Sequence, residues 1–337
     1  MADQIILLAH GAGGMKSAEL LQDVFLPEFG NSTLAQLGDA AVIEHPGGKV
    51  AFTTDSFVID PIEFPGGNIG KLAICGTVND LAAAGATPLA ISAAFILEEG
   101  LPYDVLRRIV AAMARTAEMA GVPIVTGDTK VVPRGSADKI FINTTGIGSL
   151  PTDRPLPAPD RATPGDAIIL SGTIADHGMA IMTSREGLVF PSAIESDCAP
   201  LAQMVAAVMA AVPDIHCMRD PTRGGLAAVL NELAGQSKVG MEVVDADIPV
   251  NADVRVACEL LGIDPLHVAN EGKMVLIVPA ESADAALAAL QSHPLGKNAS
   301  IIGQVTDKPV GRVHLRTALG SLRILDIPAG DILPRIC

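Results

Sequence analysis

The chain has 337 residues, enough for two domains of ordinary size, and its formal net charge is −15. This acidity argues against a nucleic-acid or anionic-membrane surface, although carboxylates can still hold an anionic substrate through Mg²⁺. Hydrophobic residues make up 49% of the chain and aromatic residues only 3%, so the core must consist mainly of Ala, Val, Ile and Leu.

The first half predicts strands mixed with helices. A strand at 5–9 leads through a glycine-rich loop, which contains Gly13 and Gly14, to a helix at 17–25. Such a loop can turn backbone N–H groups toward phosphate, although an ordinary tight turn explains the glycines equally simply. The other elements predicted in this half are strands near 50–54, 89–97, 124–126 and 140–147, and helices near 71–84 and 104–120.

A proline-rich segment at 151–164, with five prolines, marks the best domain boundary. The second half opens with a strand at 166–171 and predicts another α/β unit. Its helices fall near 176–186, 199–211, 224–235, 252–261 and 281–291, and its further strands near 241–244, 274–278, 300–304, 312–316 and 322–326. We therefore predict an N-terminal domain at 1–155, a C-terminal domain at 160–326 and a flexible tail at 327–337.

The tail carries the last residue, Cys337. Two prolines and a glycine between Asp326 and Pro334 argue against a helix or a central strand, so the arm is predicted to be extended and mobile. Thiolate is the reactive form of cysteine, and Arg335 favours the anion. The alternative is an accidental cysteine on a frayed tail.

The cysteines also indicate the cellular compartment. There are five, an odd number, far apart and without a Cys-x-x-Cys spacing, which is typical of a reduced cytosolic protein without a disulfide framework or zinc cluster. No basic region precedes the short apolar run at the N-terminus, and Gly85, Thr87 and Pro88 interrupt the longest uncharged run. A cytoplasmic location is therefore expected.

Four aspartates occupy turn-like positions in the first half: Asp39, Asp55, Asp80 and Asp128. Asp55 and Asp128 each follow an apolar strand, where ligands collect in open α/β sheets. Converging aspartates would form a Mg–nucleotide site, with Lys130 as a phosphate partner. Each aspartate alone could equally be a helix cap or a turn residue.

Two motifs of the second half carry further candidates. Asp220-Pro-Thr-Arg223-Gly-Gly opens a helix, and its arginine and exposed N–H groups suit an anion, although a structural cap fits as well. Asn270-Glu271-Gly272 precedes a strand and could hold a general base or be an ordinary turn. The seven histidines show no metal-ligand spacing.

Together these motifs resemble the HypE family, the carbamoyl dehydratases of [NiFe]-hydrogenase maturation in the PurM-like (AIR synthetase) superfamily. The motifs that carry the resemblance are His10-Gly-Ala-Gly-Gly14, Thr54-Asp-Ser-Phe57, Pro65-Gly-Gly67, Gly76-Thr-Val-Asn-Asp80, Thr126-Gly-Asp-Thr-Lys130, Asp220-Pro-Thr-Arg-Gly-Gly225, Asn270-Glu-Gly272 and Pro-Arg-Ile-Cys337. They span essentially the whole chain, and the terminal cysteine makes the match specific. Ala40 stands where other members often place a second aspartate, which leaves the metal role there to Asp39 alone.

The resemblance implies an α+β fold of two PurM-like domains. The N-terminal mixed α/β domain would form a β-barrel dimer interface, the C-terminal domain an α/β sandwich, and the tail would be mobile. ATP and Mg²⁺ would bind near the domain cleft, with Asp39, Asp55, Asp80 and Asp128 on the metal. The remaining nucleotide-binding candidates are Gly13, Gly14, Asn79, Thr126, Gly127, Asp220 and Arg223.

The resemblance also implies a reaction. A carbamoyltransferase, HypF, would load a carbamoyl group onto the Cys337 sulfur; ATP would phosphorylate its oxygen, and loss of phosphate would leave a thiocyanate. The cyano group would then pass to iron on the HypC–HypD complex. The catalytic candidates are Cys337, Glu271 and Lys130, and the tail would swing between an outer position and an inner one near Asp128, Lys130 and Glu271.

Other members of the superfamily are the alternatives. A selenophosphate synthetase would be expected to carry a cysteine or selenocysteine beside the N-terminal glycine loop, but the nearest cysteine here is Cys75. A thiamine-monophosphate kinase or a purine-synthesis enzyme would not need a terminal thiol. A metal-delivery scaffold would have Cys337 as a single soft ligand without clustered partners.

Overall fold

Two sheets, built from consecutive halves of the chain, organise the computed structural model, which describes residues 15–20, 22–23, 34–45, 47–190, 192–327, 333 and 335–337. The first sheet has five strands in the order β1-β2-β7-β5-β6, beside a small β3–β4 hairpin. Its half contains the strands β1 (Ala41–His45), β2 (Gly48–Phe57), β3 (Glu63–Phe64), β4 (Gly67–Asn68), β5 (Thr87–Glu98), β6 (Ile124–Val132) and β7 (Ile140–Ser149), and the helices α1 (Met15–Leu20), α2 (Ile69–Ala83) and α3 (Tyr103–Ala120).

The second sheet has seven strands in the order β14-β13-β10-β12-β8-β11-β9. Its half contains the strands β8 (Ala167–Leu170), β9 (Cys217–Arg219), β10 (Gly240–Val244), β11 (Val275–Val278), β12 (Ser300–Thr306), β13 (Arg312–Arg316) and β14 (Leu322–Ile324), and the helices α4 (Asp176–Glu186), α5 (Ala202–Ala211), α6 (Gly225–Ser237), α7 (Ala252–Leu261) and α8 (Ala283–Ser292). Strands β8 and β11 are buried at every position, as expected for central strands covered on both faces.

Helix α2 lies between the two halves and is buried along almost its whole length. The Asn68 side chain begins it by accepting hydrogen bonds from the backbone N–H groups of Gly70 and Lys71, both at 3.0 Å. A Cβ at Gly76 would lie 2.9 Å from the Phe57 ring, so glycine permits the close approach of α2 to β2. The resulting core contains residues of both halves and also includes Leu333 and Ile336 of the tail.

Most predicted elements are confirmed within one to three residues, but three differences bear on the site. Strand β6 continues to Val132, whereas the sequence predicts that it ends before Gly127. Strands β1 and β9 were not predicted; β9 has only three residues, too short for a recognisable pattern. The predicted strand at 5–9 lies outside the described residues, and so does part of the helix predicted at 17–25.

In the described part of the chain, every helix is too short or too polar to cross a membrane.

Candidate active site

Four aspartates converge where β2, α2 and the segment after β9 meet. Asp55 lies on β2 and Asp80 on α2, and each carboxyl group shifts the pKa of the other. The Thr53 hydroxyl donates to Asp80 Oδ2 at 2.7 Å. Asp39 and Asp220 complete the group, because their charges act on Asp80 together with that of Asp55. The structure therefore brings together Asp39, Asp55 and Asp80, three of the four aspartates expected to converge, with Asp220 beside them, whereas Asp128 lies elsewhere.

The carboxyl groups of the cluster have raised pKa values because they are buried close to one another. Burial, followed by repulsion from Asp39 and Asp55, raises the pKa of Asp220 to about 8. Burial also raises the pKa of Asp39 to about 6, although the guanidinium of Arg219 opposes the shift. Burial and the charges of its three neighbours raise the pKa of Asp80 well above the usual range for a carboxyl group. The cluster therefore retains protons at neutral pH and would ionise more fully beside a cation.

Two arginines face these carboxylates. Arg219 Nε lies 2.9 Å from Asp39 Oδ1, and its Nη2 lies 3.3 Å from Glu232. Arg223 precedes α6, and the pKa of its guanidinium is raised. The largest cause is the charge of Cys337, and the charges of Asp55 and Glu271 act in the same direction. Arg223 therefore links the tail to the aspartate cluster.

Glu271 is buried, and burial raises its pKa well above the usual range, helped by repulsion from Cys198, Asp220 and Asp197. Its loop is fixed by hydrogen bonds: Glu271 N donates to Asp197 Oδ1 at 3.0 Å, and Asn270 Oδ1 accepts from Ala175 N at 2.7 Å. A carboxyl group of this kind holds its proton tightly and becomes a strong base when ionised.

Asn79 joins the halves instead of facing the cluster. Its Nδ2 donates to Ala199 O at 3.1 Å and to Glu271 O at 3.3 Å, while its Oδ1 accepts from Leu201 N at 2.8 Å. In this structure Asn79 therefore holds the Glu271 loop against α2.

The tail is docked inside the protein. Cys337 O accepts a hydrogen bond from Val58 N, just past the end of β2, at 3.1 Å, and Ile336 is buried. The tail thus occupies an inner position, but this position is near Arg223, which also faces Glu271, and not near Asp128 and Lys130 as the sequence predicts.

The candidates on β6 lie elsewhere. Thr126, Gly127, Asp128 and Lys130 are exposed on this edge strand, where Lys130 Nζ pairs with Asp128 Oδ2 at 3.2 Å. A hydrogen bond from Thr129 N and the Lys130 ammonium lower the pKa of Asp128. Strand β6 stands three strand spacings from β2, roughly 14 Å. Within one chain these residues do not join the cluster, and Gly13 and Gly14 lie outside the described residues.

Register explains the separation of Asp128 from Asp55. Asp55 pairs with Thr144, Thr144 with Ala93, and Ala93 with Gly127. Asp128 is one residue further and points to the opposite face of the sheet, because side chains alternate along a strand.

Sequence reasoning missed three contributors. Arg219 directly precedes the Asp220 motif, and a basic residue next to an acidic one could have indicated an ion pair at the site. Asp197 accepts from Glu271 N and pairs with Lys273 Nζ at 3.1 Å. His177 is fully buried and bonds the tail, and its spacing gave no indication of that contact.

The donor chemistry suits Mg²⁺. No three His, Cys, Asp or Glu side chains in the described segments stand close enough to enclose a metal ion by themselves. Mg²⁺ in nucleotide sites usually takes one or two carboxylates and fills its shell with phosphate and water oxygens. Asp55 and Asp80, two neighbouring carboxyl groups of the cluster, fit that requirement.

Comparisons with known proteins agree with this geometry. Family models described as the N-terminal and C-terminal domains of AIR synthase related proteins match residues 37–150 and 163–316. The "Carbamoyl dehydratase HypE" of Rhodobacter capsulatus is 50% identical over 340 residues, covering 100% of this chain and 99% of the relative. A crystal structure of HypE in complex with ATP has 50% identity and a TM-score of 0.84, covering 99% of this chain and 100% of that chain. The crystal structure of a HypE–HypF complex has 48% identity and a TM-score of 0.87, and the match covers 92% of this chain and 99% of that chain.

Proposed function

Because the chain belongs to the HypE family of carbamoyl dehydratases, we propose that it dehydrates an S-carbamoyl group on its own Cys337, with ATP, to a thiocyanate. This product supplies the cyanide ligands of the [NiFe]-hydrogenase iron. The observation that carries the proposal is the docked tail, whose Cys337 is close enough to Arg223 for its charge to raise the pKa of that guanidinium, as the charges of Asp55 and Glu271 also do.

ATP activates the carbamoyl oxygen and drives its removal. The carbamoyl oxygen attacks the γ-phosphorus and ADP leaves; the C–O bond then breaks, phosphate departs, and the nitrogen gives up two protons to form S–C≡N. An amide oxygen is a poor leaving group, and phosphorylation makes it a good one. Glu271, buried and with a raised pKa, is suited in its ionised form to accept a proton from the amide nitrogen. Arg223 offsets the negative charge that develops on the leaving phosphate.

The carboxylates bind and orient the nucleotide. Asp55 and Asp80 would hold Mg²⁺, which neutralises phosphate charge when bound, and Asp39 stays a predicted ligand beside them. Asp220, Arg223 and the buried loop at Glu271 exclude water from the reacting atoms, because water would compete for the activated intermediate. Asp128, Lys130, Thr126 and Gly127 stay predicted contacts of the nucleotide, and so do Gly13 and Gly14.

We further propose three partners. HypF loads the carbamoyl group, the HypC–HypD complex receives the cyano group, and a second copy of the chain covers the open face of the first sheet. The HypE–HypF complex of a similar protein supports the first partner. The dimer is supported by exposed apolar side chains on β2, β5 and β7, including Phe52, Leu89 and Ile147. We place the protein in the cytoplasm, in keeping with five cysteines that form no disulfide in the described part of the chain, and keep the domain limits 1–155, 160–326 and 327–337.

Intact-protein mass spectrometry tests the function. The wild-type chain, incubated with HypF, a carbamoyl donor and ATP, should gain one carbamoyl group and then lose one water. Cys337→Ala should show neither change while still binding ATP and melting at the wild-type temperature. A carbamoylated wild-type chain that never loses water in the presence of Mg-ATP would refute the proposal.

A further inference from the structure

Main-chain oxygens of the last three residues all accept hydrogen bonds from the body of the protein. Arg335 O accepts from Asp60 N at 3.3 Å and from Arg185 Nη2 at 2.5 Å. Ile336 O accepts from His177 Nε2 at 2.7 Å, and Cys337 O accepts from Val58 N at 3.1 Å. The tail is therefore held by its main chain over three consecutive residues.

The donors come from both halves of the chain. Val58 and Asp60 follow β2, whereas His177 and Arg185 lie on α4. Arg185 also bridges the halves without the tail, since its Nε donates to Asp60 O at 2.6 Å. The groove that receives the tail exists only when α4 and the end of β2 stand together as they do here.

The ring of His177 is also held by contacts that do not involve the tail. A carbonyl oxygen only accepts, so Nε2 carries the proton and Nδ1 accepts from the Ser196 hydroxyl at 2.7 Å. Ser196 Oγ in turn accepts from Cys198 N at 3.1 Å. Phe64 packs edge-to-face against the ring at 5.6 Å and 88°. Burial lowers the pKa of His177 and keeps the ring neutral in this arrangement.

Departure of the tail would leave the buried Nε2–H of His177 without this acceptor. An unsatisfied buried donor is unfavourable, so the histidine favours the docked state. The buried side chains of Leu333 and Ile336 act in the same direction through the shared core.

We propose that His177, assisted by Arg185, is a positioning residue that holds the tail in its docked state and thereby sets the place of the Cys337 sulfur during dehydration. The contacts are made to main-chain carbonyls, not to the sulfur. Thiol, thiocarboxamide and thiocyanate forms of Cys337 are therefore seated in the same way. The role of His177 in dehydration rests on the proposed function, whereas its role in docking the tail does not.

The first test measures alkylation of Cys337 by a bulky maleimide in the full-length protein, followed by intact mass. The other four cysteines are buried, so early labelling reports the tail. His177→Phe keeps a ring but removes the donor and should speed labelling about tenfold, as the loss of one hydrogen bond predicts. His177→Gln, which restores an N–H near the Nε2 position, should return labelling toward the wild-type rate.

A matched control is His216→Phe, which removes another largely buried histidine whose Nδ1 bonds Asp166 at 2.7 Å, away from the tail. It should label at the wild-type rate even if its melting temperature falls. If His177→Phe does not fold, Arg185→Leu replaces it in the same comparison. Wild-type labelling of the folded His177 or Arg185 variant would overturn the proposal, as would equally fast labelling of His216→Phe.

The second test is the single-turnover rate of water loss from the carbamoylated chain. His177→Phe should lower this rate about tenfold at saturating ATP without changing the KM for ATP, and His177→Gln should restore it. An unchanged rate in the folded Phe variant would overturn the positioning role. Absence of water loss in the wild type, with tail labelling still sensitive to His177, would refute the proposed function and leave the docking role standing.

Discussion

Arg223 and Cys337, 114 positions apart in the numbering, interact electrostatically in the folded protein: the charge of the last residue is the largest cause of the raised pKa of the guanidinium. The same arginine faces Asp55, Glu271 and Asp80. It is therefore the residue through which the tail, the candidate base and the aspartate cluster act on one another.

Replacing Arg223 by Gln should lower the single-turnover rate of water loss by about 10²-fold, the usual effect of removing one electrostatic contact to a reacting group. Carbamoylation of Cys337 should continue, because it takes place with the tail outside. Arg312→Gln, which removes an exposed arginine paired with Asp326, is the control. A wild-type rate in Arg223→Gln would exclude Arg223 from the reaction.

Asp55→Asn and Asp80→Asn should each weaken Mg-ATP binding at least about tenfold, because both remove hard oxygen charge from the proposed metal site. The sequence predicts weaker binding for Asp128→Asn and Lys130→Ala as well. Calorimetric titration measures all four variants. Wild-type affinity in the last two would remove β6 from the site, and wild-type affinity in the first two would refute the site itself.

Binding of preformed Mg-ATP at pH 7 should release protons. Asp220, with a pKa of about 8, and Asp80 hold protons in the free protein and must ionise beside a cation. Affinity should therefore rise between pH 6 and pH 8. Titration in two buffers of different ionisation enthalpy measures the protons released, and Asp220→Asn should release fewer than the wild type. Proton uptake, or equal release by the variant, would contradict the assigned cluster.

The stability of the nucleotide-free protein should depend on pH through the same residue. The pKa of Asp220 is raised from 3.8 to about 8 on folding, so its proton stabilises the folded state most below pH 4, and this stabilisation is lost progressively as pH rises from about 4 through 8. Asp220→Asn, which mimics the protonated side chain, should melt several degrees above the wild type at pH 8.5 and at nearly the same temperature at about pH 4. Asp307→Asn, at an exposed position, should show no such difference. A variant equally shifted at both pH values would refute this linkage.

The open face of the first sheet should bind a second copy. Phe52 is 42% exposed there and is aligned across β2 and β7 with Ile147. Phe52→Asp should convert a dimer into a monomer in sedimentation at micromolar concentration, because a buried charge without a partner is costly. Leu319→Asp, at a 97% exposed leucine of the second half, should remain dimeric. A monomeric wild type would refute the prediction.

Local pattern was enough to predict much of this protein. Apolar periodicity predicted α2, α3, β5 and most elements of the second half, because each is amphipathic or uniformly buried over a long run. The motifs around Asp55, Asp80, Asp220 and Glu271 predicted the family and the two-domain fold, both confirmed by the comparisons. Proline and glycine near the C-terminus predicted a segment without helix or central strand.

Tertiary structure alone decided which of those residues meet. Asp55 and Asp128 look equivalent in the sequence, yet strand order puts three spacings between β2 and β6, and register turns Asp128 to the other face. Spacing assigned no role to His177, because its partner is a backbone carbonyl 159 positions away. Sequence periodicity reports which face of one element is buried, whereas order, register and the docking of α4 on the tail arise from contacts between distant segments.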